Sequence, residues 1–121
     1  MAQDYDIHTD VKHGGLEMID VAAMAAAAQP WFNQSLALVN DHVARLGVLE
    51  GDFHSHKHDD TDELFYVVEG RLDIEVEGAP TAELLPGKAF VVPRGVMHCP
   101  HARGRAVVLM VESASVVPTG D

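Results

Sequence analysis

The chain has 121 residues, 47% of them hydrophobic, with 19 acids against 8 Lys and Arg for a formal net charge of −11. That length makes one domain whose core needs no staples, and the single cysteine excludes an internal disulfide and fits a reducing compartment. The acidic field repels phosphate backbones and anionic membrane surfaces, and no apolar stretch approaches the ~20 residues of a membrane span, so neither partner is expected. The opening MAQDYDIHTD lacks the basic-then-apolar layout of a signal peptide, and a cytoplasmic location is expected. Solubility or a salt-adapted host is the first reading of the acidity, and a divalent cation beside the histidines would also find Asp59, Asp60 and Asp62 helpful.

In chain order, the first predicted element is a helix. Asp20 can cap VAAMAAAAQ, alanine is the best helix former, and Pro30 stops the run. Residues 1–30 therefore read as an N-terminal arm with a short helix near 20–28, packed outside the rest. From Trp31 to residue 121 the pattern is of short strands. SLALV and HVARLGVLEG come first, then LFYVV and RLDIEV, joined through Glu69-Gly70 as a tight hairpin. In the second arm Leu72, Ile74 and Val76 alternate with Asp73, Glu75 and Glu77, which predicts a sheet with one wet face. AFVVP and AVVLMV complete the set, with turn signals at Gly78, PGK and PRG. Closely spaced strands with little helix mean an all-β sandwich or barrel. The apolar run Ala106–Val111 reads as buried on both faces, from which a homodimer is expected.

The chemistry is concentrated in HSHKHDDTDELFYVVEGRL, residues 54–72. A solvated polar loop in front of a strand is one reading. The other is a set of metal ligands, since alternate residues of a strand share a face and His56 and His58 can grip one ion. Glu63 opens the next apolar strand, and the short DDTD loop can return its carboxylate to the same point. Imidazole nitrogen with carboxylate oxygen suits iron, manganese, zinc, nickel or copper. His54 shares that face too, so His54 and His56 form an alternative pair. Cys99 neighbours His98 and is expected to point the other way, into packing, as an inert thiol.

A second stretch, GKAFVVPRGVMHCP, turns this pattern into a family resemblance. Gly51, His56, His58, Glu63 and Gly70 match the first motif of the cupins, and Gly87, Pro93, Gly95 and His98 match the second. The chain resembles a small single-domain cupin over residues 51–98. It departs from the pattern in a spacer one residue shorter after Gly51, and in Ala102, where the family often has Asn. The resemblance implies a cupin double-stranded β-helix, a jelly-roll-like barrel, preceded by the short N-terminal helix.

It also implies that His56, His58, Glu63 and His98 hold one divalent transition metal (Fe, Mn, Zn, Ni or Cu). Family spacing fails if His54 replaces His58, so His54 is placed at the pocket mouth. Phe65 and Val67, two and four residues past Glu63, are expected to line the pocket. Arg94 reads first as a solvated turn residue and otherwise as facing an anionic ligand at the barrel mouth. The implied function is an enzyme acting on a small oxoacid, sugar or phenolic, as a metal-dependent dioxygenase or isomerase in which Glu63 sets the charge left on the metal. The alternative is a non-catalytic, metal-anchored module that binds a small-molecule ligand.

Overall fold

The computed structural model describes residues 5–116, 118 and 120. Nine elements follow in order: β1 (Asp6–His8), α1 (Val21–Ala26), β2 (Phe32–Val39), β3 (His42–Asp52), β4 (Glu63–Glu69), β5 (Leu72–Val76), β6 (Ala82–Leu84), β7 (Ala89–Val92) and β8 (His98–Ser113). The arm is more than a helix. Residues 6–8 run parallel to β2 and add an edge strand, with Asp6 N–H donating to Trp31 O at 3.0 Å. No patterned run announces so short a strand, because its pairing comes from the neighbour's free edge rather than its own residues.

The alanine-rich segment is helical over six residues, and Asp20 caps it by accepting from Ala23 N–H at 2.9 Å. Its buried face, at Ala25, packs on Leu36, Leu46, Val48 and Val107. Arg105 reaches across to donate to the Ala25 carbonyl at 2.6 Å, satisfying one of the acceptors that a helix end leaves open.

Long strand β8 organises the sheet. One edge pairs with β3 along nearly its whole length, from Asp52↔His101 to His42↔Ser113. The other edge is shared: β5 pairs with its first part, Val76↔His98 to Leu72↔Ala102, and β4 with its last, Glu69↔Val107 to Leu64↔Val111. The connection at Gly70 is therefore not a hairpin, because β4 and β5 lie end to end along β8 and do not pair. A close backbone approach explains the glycine. Gly70 has φ +82°, and a Cβ there would lie 2.3 Å from Arg105 O.

Leu49, Phe65, Val67, Leu72, Ile74, Val92, Ala106, Val108 and Met110 form the interior, with Leu84 from β6. Leu72 and Ile74 have no exposed surface, and each contributes roughly 1.5–3 kcal/mol of burial. The alternating face predicted in β5 is only partly wet. Asp73 is buried, because Arg71 and Arg103 cover its carboxylate at 2.9 Å each. Along 106–111, Ala106, Val108 and Met110 face the core and Val107 meets α1's cluster, while Leu109 and Val111 are half-buried.

Gly70→Ala should destabilise the fold by more than the roughly 1–3 kcal/mol of a strained positive φ, since the clash adds to it. Gly78→Ala, at φ +80° with nothing within 4 Å, should cost the strain alone. Urea midpoints of the two variants check the difference.

Candidate metal centre

Three segments converge at one end of the interior. The first carries His56 and His58 between β3 and β4. Its backbone is tied to the start of β8 by a reciprocal bridge, His56 N–H to His98 O and His98 N–H to His56 O, each 2.9 Å. The second is the PRG turn, where Gly95 N–H donates to His58 O at 2.8 Å. The third is the DDTD loop, held to the far end of β8 by Ser113 N–H donating to Thr61 Oγ1 at 3.1 Å. These ties deliver Glu63 to the histidines.

His56, His58, Glu63 and His98 are all buried, and one ligand atom from each lies within 4.8 Å of all the others. Glu63 Oε1 is 3.4 Å from His58 Nε2 and 3.6 Å from His98 Nε2. Two rings are oriented by their own backbone: His56 Nδ1 lies 3.1 Å from His54 O, and His98 Nδ1 2.9 Å from Val96 O. With Nδ1–H donating to a carbonyl, Nε2 keeps its lone pair for a metal, the usual way ligating histidines are fixed. His58 Nε2, His98 Nε2 and Glu63 Oε1 are buried without a hydrogen-bond partner among the described residues. Orphaned atoms of this kind are costly unless something satisfies them. Three imidazole nitrogens and a carboxylate oxygen fit a divalent transition metal.

The electrostatics agree with that use. Burial, above all, holds the His56 imidazole well below its ordinary value, to about 4, so it stays neutral near pH 7. Burial pushes the Glu63 carboxyl up, but the His58 and His98 imidazoles and Glu112 beside it outweigh that and keep it ionised.

Glu112 and Arg45 are the site residues that the sequence reading missed. Arg45 Nε lies 2.9 Å from Glu112 Oε1 with both side chains buried, and Glu112 Oε2 lies 3.8 Å from His58 Nε2. Burial first, then the Glu63 carboxylate, push the Glu112 carboxyl up to about 9, against the pull of Arg45. A parity signal was available. Every even-numbered residue of β8 except Gly104 is buried, and Glu112 continues the inward series of Val108 and Met110.

A cavity of about 50 Å³ opens onto His56 and Glu63, walled by Tyr5, Trp31, Leu49, Phe53, Phe65 and Met110. Phe65 lines it as expected from strand alternation. Val67 lies deeper, fully buried in the core and outside the lining. His54 is exposed, stacks on Phe53 with centroids 4.1 Å apart and lies 5.4 Å from the His56 ring, beside the four-residue cluster and not part of it. Arg94 faces out: its side chain is 65% exposed, and its N–H and guanidinium both hold Asp62 Oδ1, keeping that carboxyl below the usual range. Cys99 is half-buried, donates to Phe53 O at 3.0 Å, and has its thiol pushed up by burial.

Replacing His56, His58 or His98 by Ala should empty the site while the strands stay folded, and His54→Ala should leave metal stoichiometry unchanged, as elemental analysis after dialysis will show. In metal-free protein the His56 ring should titrate by NMR near pH 4. An unfolded histidine takes its proton at ~6.5. The contribution of His56 to stability is therefore full above that pH and lost as pH falls from ~6.5 towards 4.

Residues 44–112 match the family model described as Cupin domain. YdbB, an uncharacterized protein of Bacillus subtilis (strain 168), is 41% identical over 80 residues, which cover 66% of this chain and 71% of that protein. A cupin-2 domain containing protein from Shewanella frigidimarina is 34% identical with a TM-score of 0.70, over 76% of this chain and 89% of that one. KdgF from a Halomonas species is 30% identical with a TM-score of 0.62, over 69% and 78%. The matched span contains the whole four-residue cluster, and the chain belongs to the cupin family.

Proposed function

We propose that the protein is a metal-dependent enzyme acting on a small metabolite, a short-chain oxoacid before a phenolic or a sugar, by metal-assisted dioxygenation or isomerisation. The cavity carries this reading. About 50 Å³ holds only a few water-sized groups, since one water needs at least ~10–15 Å³. The mostly apolar walls offer few partners for a sugar's hydroxyls, which favours the oxoacid. Among the described residues neither Lys nor Arg lines the cavity, so a ligand carboxylate would depend on the metal for its countercharge.

A divalent ion bound here supplies Lewis acidity or redox chemistry. The chain does the rest. His56 and His98 present Nε2 in fixed orientations, and the Glu63 carboxylate offsets part of the cation's charge while leaving room for a ligand. Trp31, Phe53 and Phe65 exclude water from the ligand's apolar body, and this drying strengthens every polar contact at the site. The Trp31 indole N–H is buried without a partner among the described residues and offers a donor to a ligand oxygen.

The chain has one tryptophan, and it lines the cavity, so fluorescence reports occupancy directly. Protein purified without oxygen should be loaded in turn with iron, manganese and zinc, then offered pyruvate, catechol and glucose while oxygen uptake and product mass are followed. Pyruvate should alter Trp31 emission only with metal present and be turned over, and glucose should do neither. Oxygen uptake selects dioxygenation, whereas an isomeric product without uptake selects Lewis-acid chemistry. Tight binding with no turnover under any metal would establish a ligand-binding module instead. Glu63→Gln should weaken metal retention and turnover together.

A further inference from the structure

Two carboxylates meet on the inner face of this barrel. Leu64 pairs with Val111 across β4 and β8, so the next step of the antiparallel ladder sets Glu63 opposite Glu112. Like charges directly opposite on adjacent strands repel, and burial removes the water that would screen them. In the metal-free protein burial and Glu63 push the Glu112 carboxyl up, so it keeps its proton; to ionise beside Glu63, each carboxylate requires a cation. Glu112 Oε1 has one in Arg45, at 2.9 Å, and Arg45 is itself tied by Nη1 donating to Ser35 Oγ at 3.2 Å. Arg45 pairs with Met110 and Val43 with Glu112 in the β3–β8 ladder, so the guanidinium reaches its carboxylate on the diagonal, two residues along the same face.

The other oxygen, Oε2, has no hydrogen-bond partner among the described residues, in a side chain that is only 1% exposed. It lies 3.8 Å from His58 Nε2, close to the 3.6 Å that separates Glu63 Oε1 from His98 Nε2 within the cluster. His58 differs from the other two histidines in having both ring nitrogens without a partner, so no backbone carbonyl fixes its orientation. That carboxylate oxygen thus lies beside the least restrained imidazole, while Glu112 itself stands outside the four residues whose ligand atoms lie within 4.8 Å of one another.

We propose that Glu112 is a fifth protein ligand of the metal centre, with Arg45 holding Oε1 so that Oε2 completes a set of three imidazoles and two carboxylates. This rests on the four-residue centre being a metal site. Five protein ligands would leave one position on a six-coordinate ion, with Arg45 still sharing the charge of Glu112. A chelating ligand must then displace Glu112 to bind through two atoms.

The test uses zinc and cobalt as probes. In a crystal structure of the zinc-loaded protein, Oε2 should lie at the carboxylate coordination distance, about 2.0–2.2 Å, and a gap beyond about 3 Å overturns the proposal. Glu112→Gln should weaken cobalt binding at least about tenfold and change the visible spectrum of the bound ion. Arg45→Met/Glu112→Leu leaves no buried charge unpaired and should show the same loss if the single variant does not fold. Wild-type affinity and spectrum in either variant would overturn the fifth ligand and spare the four-residue centre. Absence of metal binding in the wild type would overturn both.

Discussion

A β-strand has two hydrogen-bonding edges, and in this molecule both edges of β8 are spent on placing ligands. Its first residue is His98, and its reciprocal bridge with His56 fixes the His-x-His segment. Its last turn of ladder seats β4, which starts at Glu63, and its outer edge carries β3 with Arg45. Because side chains alternate with a period of two, a slip of one residue in any of these ladders would send a ligand to the wrong face. The register of one strand therefore governs the whole centre, and the apolar residues between its two ends supply the energy that enforces it.

The centre itself opposes folding. Placing two carboxylates, a guanidinium and three imidazoles inside an apolar barrel costs several kcal/mol per ion before any pairing is counted. Among the described residues, buried atoms of His58, Glu63, His98 and Glu112 lack a hydrogen-bond partner, so the pairing at the centre is incomplete. A divalent ion is the kind of group that could complete it. The surrounding barrel tolerates the expense because its core is continuous, running from Leu49 through Leu72 and Ile74 to Val108.

What was legible in the sequence was periodic or punctuated. Alternation placed Phe65 on the inner face beside Glu63, and the glycines and proline marked the turns that bring His98 back to His56. What was not legible depended on which strand took which edge. LFYVVEGRLDIEV looks like a hairpin because the turn chemistry at Glu69-Gly70 is local, whereas the outcome was decided by β8, which offered one long edge to both arms. Asp73 reads as solvent-facing until Arg71 and Arg103 are folded over it. Glu112 ends an apolar run and looks like the return to water. Only the three-dimensional register reveals that its partner is Arg45 and its neighbour Glu63.

Both ends of the described chain border the cavity: Tyr5 packs its ring against Trp31 and Phe53, and Pro118 contributes to the same lining. The site is thus assembled from the two most separated parts of the sequence. For protein engineering this has an immediate meaning. A change at Tyr5 or at Pro118 is a change to the wall of the cavity, so variants that differ only in these two distant segments differ in the space beside His56 and Glu63.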